Sequence, residues 1–317
     1  MRRILLTRPM PERVVEAART NFDVEIRYDP VPMKTGQMRA ALALYDGVMP
    51  TLGDMFTAEV FDGFENPRCK ILANFGVGYN HIDAKAARAV GVSITNTPGA
   101  VTNATADIAL TLMLMSARRA GEGERLVRAG AWEGWTPTQM LGLHMTGKTV
   151  GIIGMGRIGQ AVARRCHYGF DMKVLYANRS EKNLEFPARH LHMLEVLAGA
   201  DFVVLCVPAT SETHHLMNAE TISQMAPHAR LINVARGDVV DEPALIAALQ
   251  RGQIGGAGLD VYEHEPEIPE EMMALENVVL LPHLGTAALQ VREAMGLMAV
   301  ENLRAFLAGD TPPNLVN

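Results

Sequence analysis

Three polar residues each stand at or near the end of a short apolar run, and their types are those of acid–base chemistry and carboxylate binding. Arg236 comes directly after "LINVA", Glu265 lies within "DVYEHEP", and His283 ends "VVLLPH". Histidine exchanges a proton near neutral pH, and arginine binds a carboxylate through two parallel hydrogen bonds. Taken singly, a capping histidine, a surface glutamate and a turn arginine would explain these residues equally well. Their combination at the ends of parallel strands predicts a common site.

A glycine-rich turn indicates a second kind of chemistry, the binding of phosphate by backbone amides. Gly154, Gly156 and Gly159 follow the apolar run "KTVGII" and precede the helical pattern "QAVARRC". The first glycine allows a tight turn, the second lets the backbone approach a pyrophosphate, and the third lets the helix pack on the strand. The alternative is an ordinary strand–helix turn. Because strand, motif, helix and next strand occur in the required order, the turn predicts a dinucleotide cofactor.

The stretch "VLYANRS", at the end of the next strand, indicates which dinucleotide binds. A carboxylate normally stands here, where it accepts hydrogen bonds from the ribose 2′-hydroxyl and repels a 2′-phosphate. Asn178 occupies that place, Arg179 can pair with a phosphate, and Ser180 can donate a further hydrogen bond. The alternative is a solvated arginine at a strand end. The stretch favours NADP(H) and leaves NAD(H) possible.

A parallel sheet must position these residues, because β-rich runs alternate with helical patterns along the chain. One series of runs precedes residue 100, and a second follows a helix-like segment at about 104–119. A long helical pattern after His283 ends at Gly309 and is expected to pack back on the first series. We therefore predict one domain from residues 1–99 plus 286–317, an inserted domain from residues 100–285, and a cleft between them.

Composition excludes several classes of partner. The 317 residues are 48% apolar and 20% charged, which suits about two packed domains. A total of 29 Lys and Arg against 35 Asp and Glu gives a net charge of −6, so nucleic acid and anionic membranes are poor partners. The sequence shows no signal peptide or membrane-spanning run, which favours the cytoplasm. Cys69, Cys166 and Cys206 are widely spaced, which predicts that they are reduced residues of the core. The histidines, His214 and His215 included, do not show the spacing of a metal site, so no metal is expected.

The chain resembles the D-isomer-specific 2-hydroxyacid dehydrogenases, and especially the glyoxylate/hydroxypyruvate reductases. The motifs that carry this likeness are "GIIGMGRIGQ", "NVARGDVVDEPAL", "GLDVYEHEP" and "LLPHLGTAA", with "LANFGVGYNHID" and "NTPGAVTNATADIAL" nearer the front. The likeness spans nearly the whole chain. It implies an α/β fold of two doubly wound parallel-sheet domains, in which a flavodoxin-like substrate domain is joined to a Rossmann cofactor domain.

The resemblance also implies roles in hydride transfer between NAD(P)(H) and a 2-oxo or 2-hydroxy acid. His283 would be the general acid that protonates the carbonyl oxygen, and Glu265 would hold its imidazole. Arg236 would bind the α-carboxylate and polarise the carbonyl. Backbone N–H groups around Val77 and Gly78 would hold the other end of the carboxylate.

Further cofactor contacts are implied in the inserted domain. Asp260 would face the nicotinamide carboxamide, although an aspartate at a strand end is also a common turn former. Besides the "ANRS" stretch, the other implied contacts are Gly154, Met155, Gly156, Arg157, Ile158, Gly159, Thr105, Val207, Pro208, Val234, Ala235 and Gly285.

Substrate and assembly follow from the same resemblance. It favours small 2-oxo acids such as glyoxylate and hydroxypyruvate, with D-3-phosphoglycerate or bulkier 2-oxo acids as alternatives. Trp132 and Trp135 either contribute an aromatic to the neighbouring subunit's cleft or anchor an interface, and both interpretations predict a homodimer. A non-catalytic dinucleotide-sensing scaffold, resembling a corepressor, is the alternative of another class, and turnover distinguishes it from an enzyme.

Overall fold

Every residue from 1 to 317 is described by the computed structural model, and the chain divides into two units. One unit comprises Met1–Val101 together with Ala287–Asn317, and the other comprises Thr102–Thr286. Each unit is built on one sheet of parallel strands. The prediction of a two-domain α/β fold is therefore confirmed. The assignment of substrate binding to the first unit stays a prediction.

The first unit has a five-stranded sheet in the order β2-β1-β3-β4-β5, which is the flavodoxin-like order. Its strands, numbered along the chain, are β1 (Arg3–Leu6), β2 (Asp23–Ile26), β3 (Gly47–Met49), β4 (Ile71–Ala73) and β5 (Ser93–Thr95). Its helices are α1 (Glu12–Asn21), α2 (Thr35–Leu44), α3 (Ala58–Phe61), α4 (Ala84–Ala89) and the C-terminal α12 (Leu289–Ala308).

Helix α12 packs in the first unit, as its apolar pattern predicts. A side chain at Gly296 would bring its Cβ within 2.4 Å of the Val14 side chain in α1, so the two helices approach closely only because this residue is glycine. The helix ends at Gly309, whose φ of 94° lies in the left-handed region that favours glycine. The two separated chain segments therefore share one core.

The second unit has a seven-stranded sheet in the order β12-β11-β10-β9-β6-β7-β8. Its strands are β6 (Thr149–Ile153), β7 (Lys173–Ala177), β8 (Ala188–His190), β9 (Phe202–Leu205), β10 (Arg230–Asn233), β11 (Gly256–Leu259) and β12 (Val278–Leu280). Its helices are α5 (Thr102–Arg118), α6 (Ala120–Arg128), α7 (Arg157–Phe170), α8 (Met193–Gly199), α9 (Ala219–Ile222), α10 (Glu242–Gln250) and α11 (Glu270–Met273), with a 3₁₀ turn at Gly237–Val239. The strand order reverses between β6 and β9, which is the Rossmann arrangement and the point where such sheets bind ligands.

Apolar side chains cover both faces of this sheet. Val203 and Leu231 belong to one buried cluster, and Val204 and Ile232 belong to another. Adjacent residues of one strand therefore alternate between two cores, which explains why the strands lack polar alternation. All three cysteines are free. None of the helices combines the length and apolar character needed to cross a membrane.

Candidate active site

Three neighbouring strands of the second unit bring the predicted chemical groups to one edge of its sheet. Strands β10, β11 and β12 are adjacent and parallel, so their carboxyl ends lie side by side. Arg236 follows β10, Glu265 follows β11, and His283 follows β12. The sheet topology therefore explains how residues far apart in sequence share one site.

Glu265 and His283 form a direct hydrogen-bonded pair. His283 Nδ1 lies 2.9 Å from Glu265 Oε2, and both side chains are 30% exposed. Partial burial raises the pKa of the Glu265 carboxyl. Other contacts outweigh this effect and hold the pKa below its ordinary value: the hydrogen bond to His283 and the charge of His283, the hydrogen bond from the Tyr262 N–H, and the charge of Arg236. An ionised carboxylate only accepts, so Nδ1 donates the hydrogen bond. The Nε2 atom of His283 is left to exchange a proton with a ligand.

The loop around His283 is held by Asp260. The His283 N–H donates to the backbone oxygens of Asp260 (3.0 Å) and Leu281 (3.1 Å), and its φ is 54°, a value that non-glycine residues rarely adopt. The Asp260 carboxylate accepts the N–H groups of Leu284 (2.6 Å) and Gly285 (2.8 Å). Burial raises the pKa of Asp260, and these two bonds oppose that shift. Asp260 thus positions the loop that contains His283, a role that the sequence pattern around Asp260 did not indicate.

Asn233 positions the backbone of Arg236. The Asn233 side chain, 1% exposed, donates to the Arg236 carbonyl at 2.9 Å and accepts the Ala235 N–H at 3.0 Å. Arg236 Nη1 donates to the Ala235 carbonyl at 2.7 Å. Burial lowers the pKa of the Arg236 guanidinium, whereas the charges of Glu265 and Asp238 raise it. The guanidinium therefore lies in an environment where a carboxylate ligand would bind more strongly than in water.

Gly237 allows the loops after β10 and β11 to touch. A Cβ atom at Gly237 would lie 1.8 Å from the carbonyl carbon of Tyr262 and 2.3 Å from the Glu263 nitrogen. No side chain fits against that peptide. The hydroxyl of Tyr262 in turn donates to the Leu281 carbonyl at 2.9 Å, which links the loop after β11 to the segment before His283. Contacts among these loops therefore set the spacing of the three chemical groups.

The glycine-rich turn has the geometry that a pyrophosphate site requires. Gly154 has a φ of 99°, and a Cβ there would lie 2.8 Å from the Cys206 backbone. A Cβ at Gly159 would lie 2.2 Å from the Gly154 oxygen, so helix and turn approach closely. At Gly156, the N-cap of α7, nothing lies within 4 Å of the Cβ position, so the helix N-terminus is open to a ligand. These residues fit a dinucleotide.

The residues at the end of β7 lie beside this turn. Asn178 Oδ1 accepts the Met155 N–H at 3.2 Å, and Asn178 Nδ2 donates to the Ser180 carbonyl at 2.8 Å. Arg179 is exposed and has no ion-pair partner. Lys182 Nζ donates to the Ser180 hydroxyl at 3.2 Å, which adds a second positive charge that the sequence analysis missed. The sequence does contain a feature that could have indicated Lys182, because Lys182 is a second basic residue shortly after Arg179.

The other implied cofactor contacts occupy the same unit. Thr105 Oγ1 donates to the Gly285 oxygen at 3.3 Å, and Val207 lies beside the glycine turn, 2.9 Å from the Cβ position of Gly154. Val234 and Ala235 are each 6% exposed. The remaining implied contacts lie in the loop after β9 and in the first turn of α7, namely Pro208, Arg157 and Ile158. The roles of all these residues toward a cofactor stay predictions.

In the first unit, a buried amide braces the loop that contains Val77 and Gly78. Asn74, 1% exposed, donates to the oxygens of Gly76 and Gly78, each at 3.0 Å. Asn96 donates to the Val77 oxygen at 2.9 Å. The carbonyl groups of the loop are thus engaged, while the N–H groups of Val77 and Gly78 meet no acceptor. Two adjacent free N–H groups suit a carboxylate oxygen.

The structure contains no group of three or more His, Cys, Asp or Glu side chains placed to hold a metal ion. His215 Nε2 contacts Glu263 Oε1 at 2.8 Å, and His264 is exposed. Trp132 and Trp135 are also exposed, by 53% and 77%.

Comparison with known proteins identifies similar chains over almost the full length. A family model described as D-isomer specific 2-hydroxyacid dehydrogenase, NAD binding domain, matches residues 110–285. A glyoxylate reductase of Thermococcus onnurineus is 45% identical, with 99% of this chain and 96% of the relative covered. Another glyoxylate reductase, from Pyrococcus furiosus, is 43% identical over 99% of this chain and 95% of its own.

Solved structures show the same similarity. A crystal structure of an NADPH-dependent glyoxylate/hydroxypyruvate reductase from Sinorhizobium meliloti, in complex with NADP and malonate, is 35% identical with a TM-score of 0.86. The match covers 99% of this chain and 96% of that chain. A protein from Thermus thermophilus is 42% identical with a TM-score of 0.91, over 99% and 100% of the two chains.

Proposed function

Because the chain belongs to the D-isomer-specific 2-hydroxyacid dehydrogenases, which are NAD(P)-dependent enzymes, we propose that it reduces glyoxylate and hydroxypyruvate with NADPH as the preferred reductant. The products are the 2-hydroxy acids glycolate and D-glycerate. The observation that carries the proposal is the His283–Glu265 pair, 2.9 Å apart, at the strand edge that also holds Arg236. Relatives named glyoxylate reductases support the substrate class.

His283 provides the proton for the reaction. The bound nicotinamide cofactor supplies a hydride to the carbonyl carbon of the 2-oxo acid. Since Glu265 holds Nδ1, the protonated imidazole donates from Nε2 to the carbonyl oxygen as that oxygen gains negative charge. The Glu265 carboxylate, whose pKa is held low, stabilises the imidazolium before the transfer. In the reverse direction the neutral imidazole accepts the hydroxyl proton.

Arg236 binds and orients the substrate. Its planar guanidinium matches the α-carboxylate through two hydrogen bonds, and its positive charge polarises the adjacent carbonyl. In the first unit, the N–H groups of Val77 and Gly78 also suit a carboxylate oxygen. Support for this role comes from the bracing by Asn74 and Asn96, which engages the carbonyls of that loop and leaves its N–H groups without acceptors.

The preference for NADPH rests on the end of β7. Asn178 stands where a carboxylate would repel a 2′-phosphate, and it is held in place through Met155 and Ser180. Arg179 is exposed without an ion-pair partner, so its charge is available to a ligand, and Lys182 lies beside Ser180. A structural relative from Sinorhizobium meliloti is described as NADPH-dependent, which agrees with this proposal.

We also propose that the protein acts in the cytoplasm as a homodimer. Trp132, Trp135 and Leu141 expose 53%, 77% and 68% of their surfaces within one segment of the chain. Large exposed apolar side chains close in sequence are typical of interaction surfaces. Sedimentation of the wild type and of a Trp135→Ala variant tests this assembly, which is contradicted if the wild type is monomeric at working concentration.

Turnover with a panel of 2-oxo acids tests the function. Glyoxylate, hydroxypyruvate, pyruvate and a bulkier 2-oxo acid are each assayed with NADPH and with NADH, and His283→Ala is the control for background oxidation. We expect the highest kcat/KM for glyoxylate or hydroxypyruvate with NADPH. Binding of NADPH without turnover of any acid would instead indicate a dinucleotide-sensing scaffold. Faster turnover of a bulkier acid would move the assignment to another member of the family.

A further inference from the structure

The first residue of α10 contacts the loop that carries Glu265. Helix α10 begins at Glu242, directly after the N-cap residue Asp241, whose side chain caps the helix. The Glu242 carboxylate accepts the N–H of Glu263, in the loop after β11, at 2.8 Å. Glu242 therefore joins the segment that follows Arg236 to the loop that leads to Glu265.

Glu242 is a buried acid in a region that holds other acids. It is 4% exposed, which is rare for a glutamate. Burial raises the pKa of its carboxyl, and the charges of Glu263 and Glu265 raise it further. The hydrogen bond from the Glu263 N–H and the charge of His264 oppose that shift. Burying a carboxyl group is costly unless it is hydrogen-bonded, and the bond from Glu263 is the contact that offsets the cost.

Two consecutive N–H groups connect Glu242 to the Glu265–His283 pair. The N–H of Glu263 donates to Glu242, and the N–H of the preceding residue, Tyr262, donates to Glu265 Oε1 at 3.1 Å. The other oxygen of Glu265 accepts from His283 Nδ1 at 2.9 Å. The orientation of one short backbone segment therefore determines where the Glu265 carboxylate lies.

The peptide between Tyr262 and Glu263 is confined by other contacts as well. A Cβ atom at Gly237 would lie 1.8 Å from its carbonyl carbon, so the turn at Gly237 packs directly on it. His215 Nε2 contacts Glu263 Oε1 at 2.8 Å, and the φ of His215 is 48°, in the left-handed region. A non-glycine residue keeps such a conformation only where its surroundings enforce it. The peptide therefore has a defined place, in which its N–H group meets Glu242.

We propose that Glu242 is a positioning residue for the Glu265–His283 pair, which it aligns through the backbone of Glu263 and Tyr262. Its carboxylate holds the Glu263 N–H, the adjacent Tyr262 N–H holds Glu265 Oε1, and Glu265 keeps its second oxygen on His283. This role rests on the proposed function, because it presupposes that His283 donates the proton. The alternative is that Glu242 only stabilises the start of α10.

The titration of the His283 imidazole distinguishes the two roles without any substrate. It is followed by NMR on the full-length protein with isotope-labelled histidine rings, and the spectrum of His283→Gln assigns the signal of His283. The charged groups that face this imidazole are Glu265 and Asp260, and Arg236 faces Glu265 in turn. Loosening Glu265 should lower the midpoint of the titration, because the imidazolium then loses part of the interaction that favours its charged form.

Three substitutions separate the position of the Glu242 carboxylate from its charge. Glu242→Gln keeps an oxygen acceptor and removes the charge, Glu242→Asp keeps the charge and withdraws the acceptor, and Glu242→Leu removes both. We expect the His283 midpoint to fall by about 0.5–1 pH unit in Glu242→Asp and Glu242→Leu, the equivalent of one hydrogen bond, and by a smaller amount in Glu242→Gln. Equal shifts in Glu242→Gln and Glu242→Leu would overturn the proposal, because charge alone would explain them. A wild-type midpoint in Glu242→Asp would also overturn it, and this comparison remains if Glu242→Leu does not fold.

Glu195 offers a matched control for a purely structural effect. It is a glutamate in the first turn of α8, and its carboxylate accepts the His192 N–H at 3.0 Å. Glu195→Leu should lower Tm, as Glu242→Leu does, but should leave the His283 midpoint at its wild-type value. A lower Tm in both variants with a midpoint that moves in neither would overturn the proposal, since Glu242 would then act on stability alone.

Reduction of glyoxylate with NADPH shows which of the two proposals fails. In an active enzyme, Glu242→Asp should lower kcat near neutral pH and leave the Kd for NADPH nearly unchanged. If no 2-oxo acid is reduced but the midpoint falls in Glu242→Asp, the proposed function is wrong and the alignment of Glu265 with His283 by Glu242 is supported. If glyoxylate is reduced and the midpoint stays in place, the positioning role alone is wrong.

Discussion

Replacing Arg179 by alanine should lower kcat/KM with NADPH relative to kcat/KM with NADH. Arg179 is exposed and has no carboxylate partner, so its charge is available to a 2′-phosphate. A hydrogen bond to a charged group contributes about 1.5–3 kcal/mol. At about 1.4 kcal/mol for each tenfold change, its loss corresponds to roughly a tenfold to hundredfold decrease in preference. Because an exposed pair is screened by solvent and salt, we expect a value near tenfold.

The neighbouring Asn178→Asp substitution should act in the same direction by a different route. A carboxylate there can still accept the Met155 N–H, which Asn178 Oδ1 accepts at 3.2 Å. It cannot donate to the Ser180 carbonyl, as Asn178 Nδ2 does at 2.8 Å, so the loop should lose a little stability. The new charge should repel the 2′-phosphate and bind the 2′-hydroxyl of NADH. The double variant should approach an NADH-dependent enzyme.

The assay is the ratio of kcat/KM with NADPH to kcat/KM with NADH, measured at one ionic strength. Arg164→Ala is the matched control, because it removes another exposed arginine of the same unit that has no ion pair. The control should keep the wild-type ratio. A wild type that already prefers NADH, or equal losses with both cofactors in Arg179→Ala, would refute the reasoning.

Four further substitutions test the candidate catalytic groups. His283→Ala should lower kcat by about 10²–10⁴-fold and leave the Kd for NADPH nearly unchanged. Stopped-flow turnover measures kcat, and fluorescence titration measures the Kd. Arg236→Lys should raise KM for the 2-oxo acid and lower kcat, because an ammonium group cannot form the two parallel hydrogen bonds of a planar guanidinium. Unchanged KM and kcat would exclude Arg236 from the substrate site. The lowered pKa of Glu265 keeps that carboxylate charged through neutral pH, so Glu265→Gln should remove its stabilisation of the imidazolium. If His283 is the proton donor, the rate of reduction in Glu265→Gln should then fall off at lower pH than in the wild type. An inflection that stays in place would contradict the coupling of Glu265 to His283. Gly237→Ala should lower both Tm and kcat, because its Cβ would lie 1.8 Å from the Tyr262 backbone, whereas an unchanged Tm would show that the loops can separate at little cost.

Most of the sheet architecture could be predicted because buried parallel strands are short, apolar and separated by helical patterns. Strand β8 was missed. It is three residues long, Ala188–His190, pairs only with β7 at the edge of the sheet, and has exposed residues at Arg189 and His190. An edge strand of this kind carries no apolar run, so its pairing is visible only in three dimensions.

In the candidate site, too, features formed by residues close in sequence could be predicted, whereas contacts between residues far apart in sequence could not. The glycine-rich turn is local, so its spacing alone predicts a tight turn before a helix. The support of the site is not local. Gly237 packs against the peptide after Tyr262, and the Tyr262 hydroxyl donates to the Leu281 carbonyl. No motif marks such contacts, because they depend on which loops meet when the sheet forms.

The two ends of the second unit lie close together, since Thr105 near its start donates to the oxygen of Gly285 near its finish. His283, Glu265 and Arg236 all lie between these ends. A segment with adjacent ends and its own core is a natural module for recombination. Grafting Thr102–Thr286 into a related chain should therefore transfer His283, the proposed proton donor, together with the glycine-rich turn, while the host's two outer segments are retained. Chimeras made at these two junctions would show which segments of each parent determine the specificity for the acid and which determine the specificity for the coenzyme.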